Sequence, residues 1–203
     1  MRIFILSIAL LYSASFFGQV NWTEGWDAAV LKEAKVSGST KMSKTEMDVI
    51  YYCNLVRLDP KKFLNTVVPK YVASRELKSS SYLSSLKREL KKTKKLPAFK
   101  LSDNLYGVAN VHAVASGKKG TTGHQNYSKR FKKVIDEFGT NGENCDYGNG
   151  KAIDIFFSWL IDEGISNLGH RKNILDKEYN HAGVSIADHK KFDVNAVMAF
   201  GKK

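Results

Sequence analysis

Hydrophobic residues recur at helical spacing through most of this chain and at strand spacing near its end. Ser43, with Glu46 three residues later, forms a capping box ahead of EMDVIYYCNLVR, where hydroxyl and carboxylate answer amides that a first turn leaves free. This helix is expected to stop by Leu58 or Asp59, since Pro60 disfavours helical geometry in the residue before it. Asp59 then suits an N-cap and Pro60 the first position of a second helix, PKKFLNTVV. In LKSSSYLSSLKRELKKTKKLP, Leu83, Leu86 and Leu90 form one stripe while Lys87, Lys91 and Lys94 fall on another face. An extended piece, LPAFK, precedes Ser102 or Asp103, either of which caps a further helix. That helix carries Leu105, Val108 or Ala109, and His112, and is expected to stop at Gly117.

A loop containing TTGHQN and a shorter helical stretch, SKRFKKVIDEFG, follow. The apolar KAIDIFFSWLIDEG reads as a buried helix ending at Gly164. The period then changes to two: AGVSIA and VNAVMAF, separated by the polar DHKKFD, predict an antiparallel hairpin. Helices first and strands late, without alternating βαβ units, predict an α+β domain. Residues 20–42 are mixed polar and read as a loosely attached lead-in (19–42), which leaves 43–203 for the domain.

At 203 residues and 43% hydrophobic content, the chain can bury one sizeable core. Its start, MRIFILSIALLYSASFFGQ, has one arginine, an apolar run and the small triplet Ser13-Ala14-Ser15. That is the layout of a secretory signal over residues 1–18, cut after Ser15 or Gly18, and the run is too short for a comfortable membrane anchor. The expected product is secreted or periplasmic and not transmembrane. Export places Cys53 and Cys145 in an oxidising compartment. A bond between them would close a long loop and add roughly 4–5 kcal/mol in the chain-entropy model. Two separately buried thiols are the alternative, and spacing does not choose. The net charge of +12 makes the Lys87, Lys91 and Lys94 stripe a candidate for anionic lipid headgroups or nucleic acid; a solvated face is the plainer reading.

The order of the motifs adds more than any one of them. NLVR in the first helix is followed by LPAFKLSDNLYGVANVHAVASG, then GH at 123–124, GEN at 142–144, Trp159, GHRKNIL from Gly169, and AGVSIA with VMAFG. This succession resembles the CAP superfamily, the SCP-like extracellular domains, in its secreted bacterial branch, over about residues 43–201. The resemblance implies a three-layer α-β-α sandwich with a central antiparallel sheet. It also implies a cleft lined by two histidines and two acidic residues, where some members hold zinc or another divalent ion. Carried over motif by motif, these are His124, Glu143 and His170, with the second acidic position on Glu163 or Asp162. The stretch WLIDEGISNLGHR is longer than the family's short W-x-x-S-x-GHR form, and Glu163 is preferred. Asn54 and Arg57 match the family's N-x-x-R and are expected to fix the first helix.

Two imidazoles with carboxylates suit Zn²⁺, with His124 and His170 as ligands and the carboxylates as ligands or as groups that orient the rings. Such a centre acidifies water, and without metal the same residues form an acid/base cluster. Read without the resemblance, Gly169-His170 also starts a helix with Arg171 and Lys172 exposed, and Glu143 also caps a turn at Gly142 and Asn144. His112 lies on an apolar helix face and reads as a core histidine; His181 and His189 read as structural or solvated. Asn144 and Asn173 read as partners for backbone groups. No GxSxG, HExxH or CxxC is present, and a Cys145–His170 thiol nucleophile suits an oxidising compartment poorly. Three functions stand: a binding module for a small ligand, lipid or surface polymer; a metal-assisted hydrolase of peptide, wall polymer or nucleic acid; and a basic adhesion protein.

Overall fold

The computed structural model describes residues 20–39 and 41–203; the expected signal over 1–18 lies outside them. Among the described residues, eight α-helices and four strands follow in order: α1 Ala28–Ala34, α2 Lys44–Leu58, α3 Pro60–Ser74, α4 Ser81–Lys92, β1 Lys100–Leu101, α5 Asp103–Lys119, α6 Tyr127–Phe131, β2 Thr140–Tyr147, α7 Ala152–Ile161, α8 Gly169–Leu175, β3 His181–His189 and β4 Asp193–Lys202. The capping box at Ser43 and Glu46 opens α2, and Asp59 caps α3 with Pro60 in its first turn. Ser102 caps α5, which runs past Gly117 to a left-handed Gly120.

The sheet has the order β1-β3-β4-β2. The predicted hairpin is β3 and β4, paired antiparallel from His181↔Gly201 to His189↔Asp193. β2 pairs antiparallel with the other side of β4, and only the two-residue β1 runs parallel, against β3. Alternation along β4 divides the core between the two faces. Ala196, Met198 and Phe200 join one cluster with α2 and α7, whereas Val197 and Ala199 join another with α5. The result is the expected α+β, three-layer α-β-α sandwich. Gly183 brings α5 onto β3: a Cβ there would lie 2.1 Å from the Tyr106 nitrogen.

Cys53 belongs to the first cluster and Cys145 to the second, so the sheet stands between them and both are free thiols. Of the two alternatives, separate burial is the one found. The described part of the lead-in also differs from expectation, because it is not loosely attached. Trp26, Ala34 and Met42 are buried in the main core, and the Trp26 indole donates to Thr66 Oγ1 at 3.0 Å. Buried apolar side chains on α1 and on either side of it suffice to seat so short a helix. On α4 the leucine stripe is buried and Lys87 and Lys91 are exposed; Lys94 is exposed in the segment that follows. Among the described residues no helix is long and apolar enough to cross a membrane.

Two buried side chains hold α2 in place. Asn54 donates to the Ala34 and Phe99 carbonyls and accepts from Phe99 N at 2.7 Å. Arg57, fully buried with its guanidinium 3.9 Å above the Phe99 ring, donates to the carbonyls of Pro97, Ile174, Asp176 and Tyr179. Burial brings its pKa down to about 10. Because Ile174 and Asp176 end α8, Arg57 also fixes the helix that carries His170.

Candidate functional site

β2 is an edge strand, and its free side opens into a cleft of about 580 Å³ lined by His124, Glu143, Asp146, Asp162, Glu163 and His170 among others. The alternative in which Glu143 caps a turn at Gly142 and Asn144 is not what is found, because both residues lie within β2. That strand is buried on both faces. Glu143 and Cys145 face the α5 layer; Asn144 and Asp146 face α7 and α8. Asn144 Nδ2 donates to the His170 carbonyl at 3.0 Å, and Asn173 Nδ2 donates to Asn144 Oδ1 at 2.8 Å. The GEN strand and the GHRKN helix are thus stitched together by two asparagines.

His124 reaches the cleft from the loop after α5. The preceding Gly123 has φ +97°, a conformation that favours glycine. Its carbonyl accepts from His112 Nε2 at 2.7 Å and its N–H donates to Tyr147 Oη at 2.9 Å. With that peptide clamped, His124 Nδ1–H donates to Glu143 Oε1 at 2.9 Å. Glu143 is buried and forms a two-pronged pair with Arg130, Nη2 to Oε1 at 2.9 Å and Nη1 to Oε2. Burial alone pushes the Glu143 carboxyl up, but hydrogen bonds from His124 and Arg130, and the Arg130 charge, hold it below its ordinary range.

His170 is built differently. α8 begins at a left-handed Leu168, whose side chain cannot cap. Asp162, eight residues before His170, does so instead: Oδ2 accepts from the His170 and Arg171 amides at 3.0 and 3.2 Å, while Oδ1 accepts from His170 Nδ1–H at 2.8 Å. The carboxylate that meets His170 is therefore Asp162, not the preferred Glu163. Asp162 ends α7 in a left-handed conformation, φ 61°, which turns its side chain inward. Glu163, one residue on, is exposed at the rim and accepts from Ser80 Oγ at 2.8 Å. Arg171 also departs from the helix-start reading. It is fully buried and donates to the Leu160, Ile161 and Tyr82 carbonyls and to Ser85 Oγ.

A family model described as the cysteine-rich secretory protein family, CAP, matches residues 50–200. The chain belongs to this family. No curated protein matches this CAP chain in sequence. Among solved structures it is similar to an outer surface protein from Borrelia burgdorferi, with 18% identity, 67% of this chain and 92% of that one covered, and TM-score 0.46. It is similar to an extracellular protein containing a SCP domain from Bacillus anthracis, with 16% identity, 88% and 50% covered, and TM-score 0.45. A cysteine-rich secretory protein from Staphylococcus aureus gives 18% identity, 66% and 39% covered, and TM-score 0.41. This chain therefore spans half of the Bacillus protein and less of the Staphylococcus one.

Ligand atoms of His112, Glu143 and Cys145 lie within 4.8 Å of one another in this CAP chain, close enough to share an ion. Their chemistry is less suited than their spacing. His112 Nε2 carries the proton that it gives to Gly123, and its burial lowers its pKa. Both Glu143 oxygens face Arg130, and burial, then the Glu143 charge, keep Cys145 a thiol. At the cleft rings the reverse holds. The carboxylates engage Nδ1–H of His124 and His170, which leaves Nε2 as the nitrogen with a lone pair. No motif in the sequence marks Asp146, which the fold alone brings to the cleft. His112 is buried and bonded, as expected of a core histidine. His189 is buried between Thr121 and its own hairpin turn; His181 bonds Asn180.

Proposed function

We propose that this CAP chain is exported and works as a binding module whose cleft takes a divalent transition-metal ion through Nε2 of His124 and His170. One observation carries the reading: two rings on different elements of one cleft each give Nδ1–H to a buried carboxylate. That arrangement fixes tautomer and orientation, as outer carboxylates do for metal-ligating histidines. Imidazole donors suit zinc well. Bound there, the ion would supply a positive centre for an anionic or carbonyl-bearing ligand. The protein's own part is to hold the rings and the cleft walls rigid. The thiol nucleophile is disfavoured, because Cys145 is buried beside the Glu143 carboxylate and held protonated.

Calorimetric titration of the purified chain with ZnCl₂ tests this. The expected result is one site per chain, lost in the His124→Ala/His170→Ala double variant while its circular dichroism stays native. Equal binding by both proteins, or none by the unaltered chain, contradicts it.

A further inference from the structure

From Asn104 to Ile135 the chain carries Lys118, Lys119, Lys129, Arg130, Lys132 and Lys133 and no Asp or Glu, which is half of its net charge of +12. α5 and α6 fold this segment around a cavity of about 560 Å³ that shares no lining residue with the histidine cleft. Lys119 lines it from the last turn of α5 and Lys129 from α6. Lys133 follows one turn later, on the short 3-10 stretch Lys132–Val134. These three lysines are exposed, whereas Arg130 is buried and engaged with Glu143. Among the described residues, the lysines that pair with carboxylates are Lys44, Lys70, Lys95, Lys202 and Lys203. The cavity is therefore walled by three uncompensated cations and by no acid. Walls of one sign focus their field on the space between them and draw in the opposite charge.

We propose that this cavity is a second binding site, for a soluble ligand with two or more linked phosphate groups. The count of charges selects the class. A carboxylate would balance one lysine of the three, whereas a phosphate carries about −1.5 to −2 charge and three acceptor oxygens. Lysine suits such a group because it is a flexible point charge that imposes no planar geometry. Exposed Thr121 and Asn126 on the same walls add a hydroxyl and an amide for oxygens that the lysines leave free. Lys87 and Lys91 on α4 are also exposed but line neither this cavity nor the cleft, so they serve as the control for charge alone. The site does not depend on metal in the histidine cleft.

Calorimetric titration with sodium tripolyphosphate, in metal-free buffer of fixed ionic strength, compares the purified chain with three double variants. Lys129→Gln/Lys133→Gln is expected to weaken binding by about tenfold or more while circular dichroism stays native. Lys87→Gln/Lys91→Gln is expected to weaken it by less than about twofold, since those charges act only from a distance through salt. His124→Ala/His170→Ala is expected to leave it unchanged. Equal losses in the two lysine variants reduce the effect to net charge and overturn the site, as does no binding by the unaltered chain. Loss in the histidine variant moves the phosphate to the cleft and overturns it too. Binding of the unaltered chain to phosphatidic acid vesicles, without binding to tripolyphosphate, assigns the lysines to a membrane surface and overturns the soluble ligand.

Discussion

His124 and His170 are held by the same ring atom, yet their carboxylates stand in different electrostatic settings. Glu143 is shared between His124 and Arg130, so that half of the cleft is balanced before any ligand arrives. Among the described residues no Lys or Arg pairs with Asp162; it answers two backbone amides at the head of α8 and then the ring. Exposure follows the same division, 47% for the His124 side chain on its loop and 19% for His170 on its helix. One half is an ion pair with a histidine attached. The other is a helix cap with a histidine attached. A single chemical requirement, a ring with a fixed tautomer, is met once through charge and once through backbone geometry.

The comparison breaks most visibly at Glu143. Glu143→Ala leaves Arg130 buried without its partner, and about 3–5 kcal/mol of stability is expected to go with it. Urea denaturation at neutral pH measures this; a loss no larger than that of Asp162→Asn contradicts the division between the halves. Asp162→Asn keeps an acceptor for the α8 amides, and the left-handed backbone suits asparagine. Its stability cost is expected at about 1 kcal/mol or less. An amide facing Nδ1 inverts the tautomer, as replacing the carboxylate does in a Ser-His-Asp triad, and zinc affinity is expected to fall at least tenfold. A stable variant with unaltered affinity ends the claim that Asp162 fixes the ring.

The smallest effect is one of pH. Burial holds His112 below its ordinary 6.5 in the folded chain, so the unfolded chain takes up its proton first. The stability this contributes is full above 6.5 and is lost as pH falls through the folded value. Glu143, depressed below its ordinary 4.5, adds a further loss in stronger acid. Burial raises Asp146 and opposes that second loss. His112→Gln keeps a donor for the Gly123 carbonyl, and its stability is expected to fall less than that of the unaltered chain between neutral pH and the region just below 6.5. Parallel curves from urea denaturation across that range contradict this.

Elements whose chemistry is local were legible in the sequence: the Ser43–Glu46 box, the Asp59-Pro60 junction, the leucine stripe of α4 and the hairpin of β3 and β4. β2 was not, because a strand buried on both faces by polar residues shows no alternation, and its partners come from distant α5, α7 and α8. Order of motifs placed His124, Glu143 and His170. It could not decide between Asp162 and Glu163, since the left-handed residue that closes α7 breaks the helical period where the choice falls. Asp146 and the burial of Arg171 depend on what packs from elsewhere, which no local pattern carries.

In the proposed site each cleft ring holds Nδ1–H toward its carboxylate and offers Nε2. Long-range ¹H–¹⁵N correlation spectra of the histidine side chains, recorded near neutral pH with and without zinc, read this atom by atom. The expected result is an Nδ1–H in both His124 and His170, with the metal shifting Nε2 of both. A bare Nδ1 in either ring, or zinc leaving both nitrogens unmoved, is the contrary result.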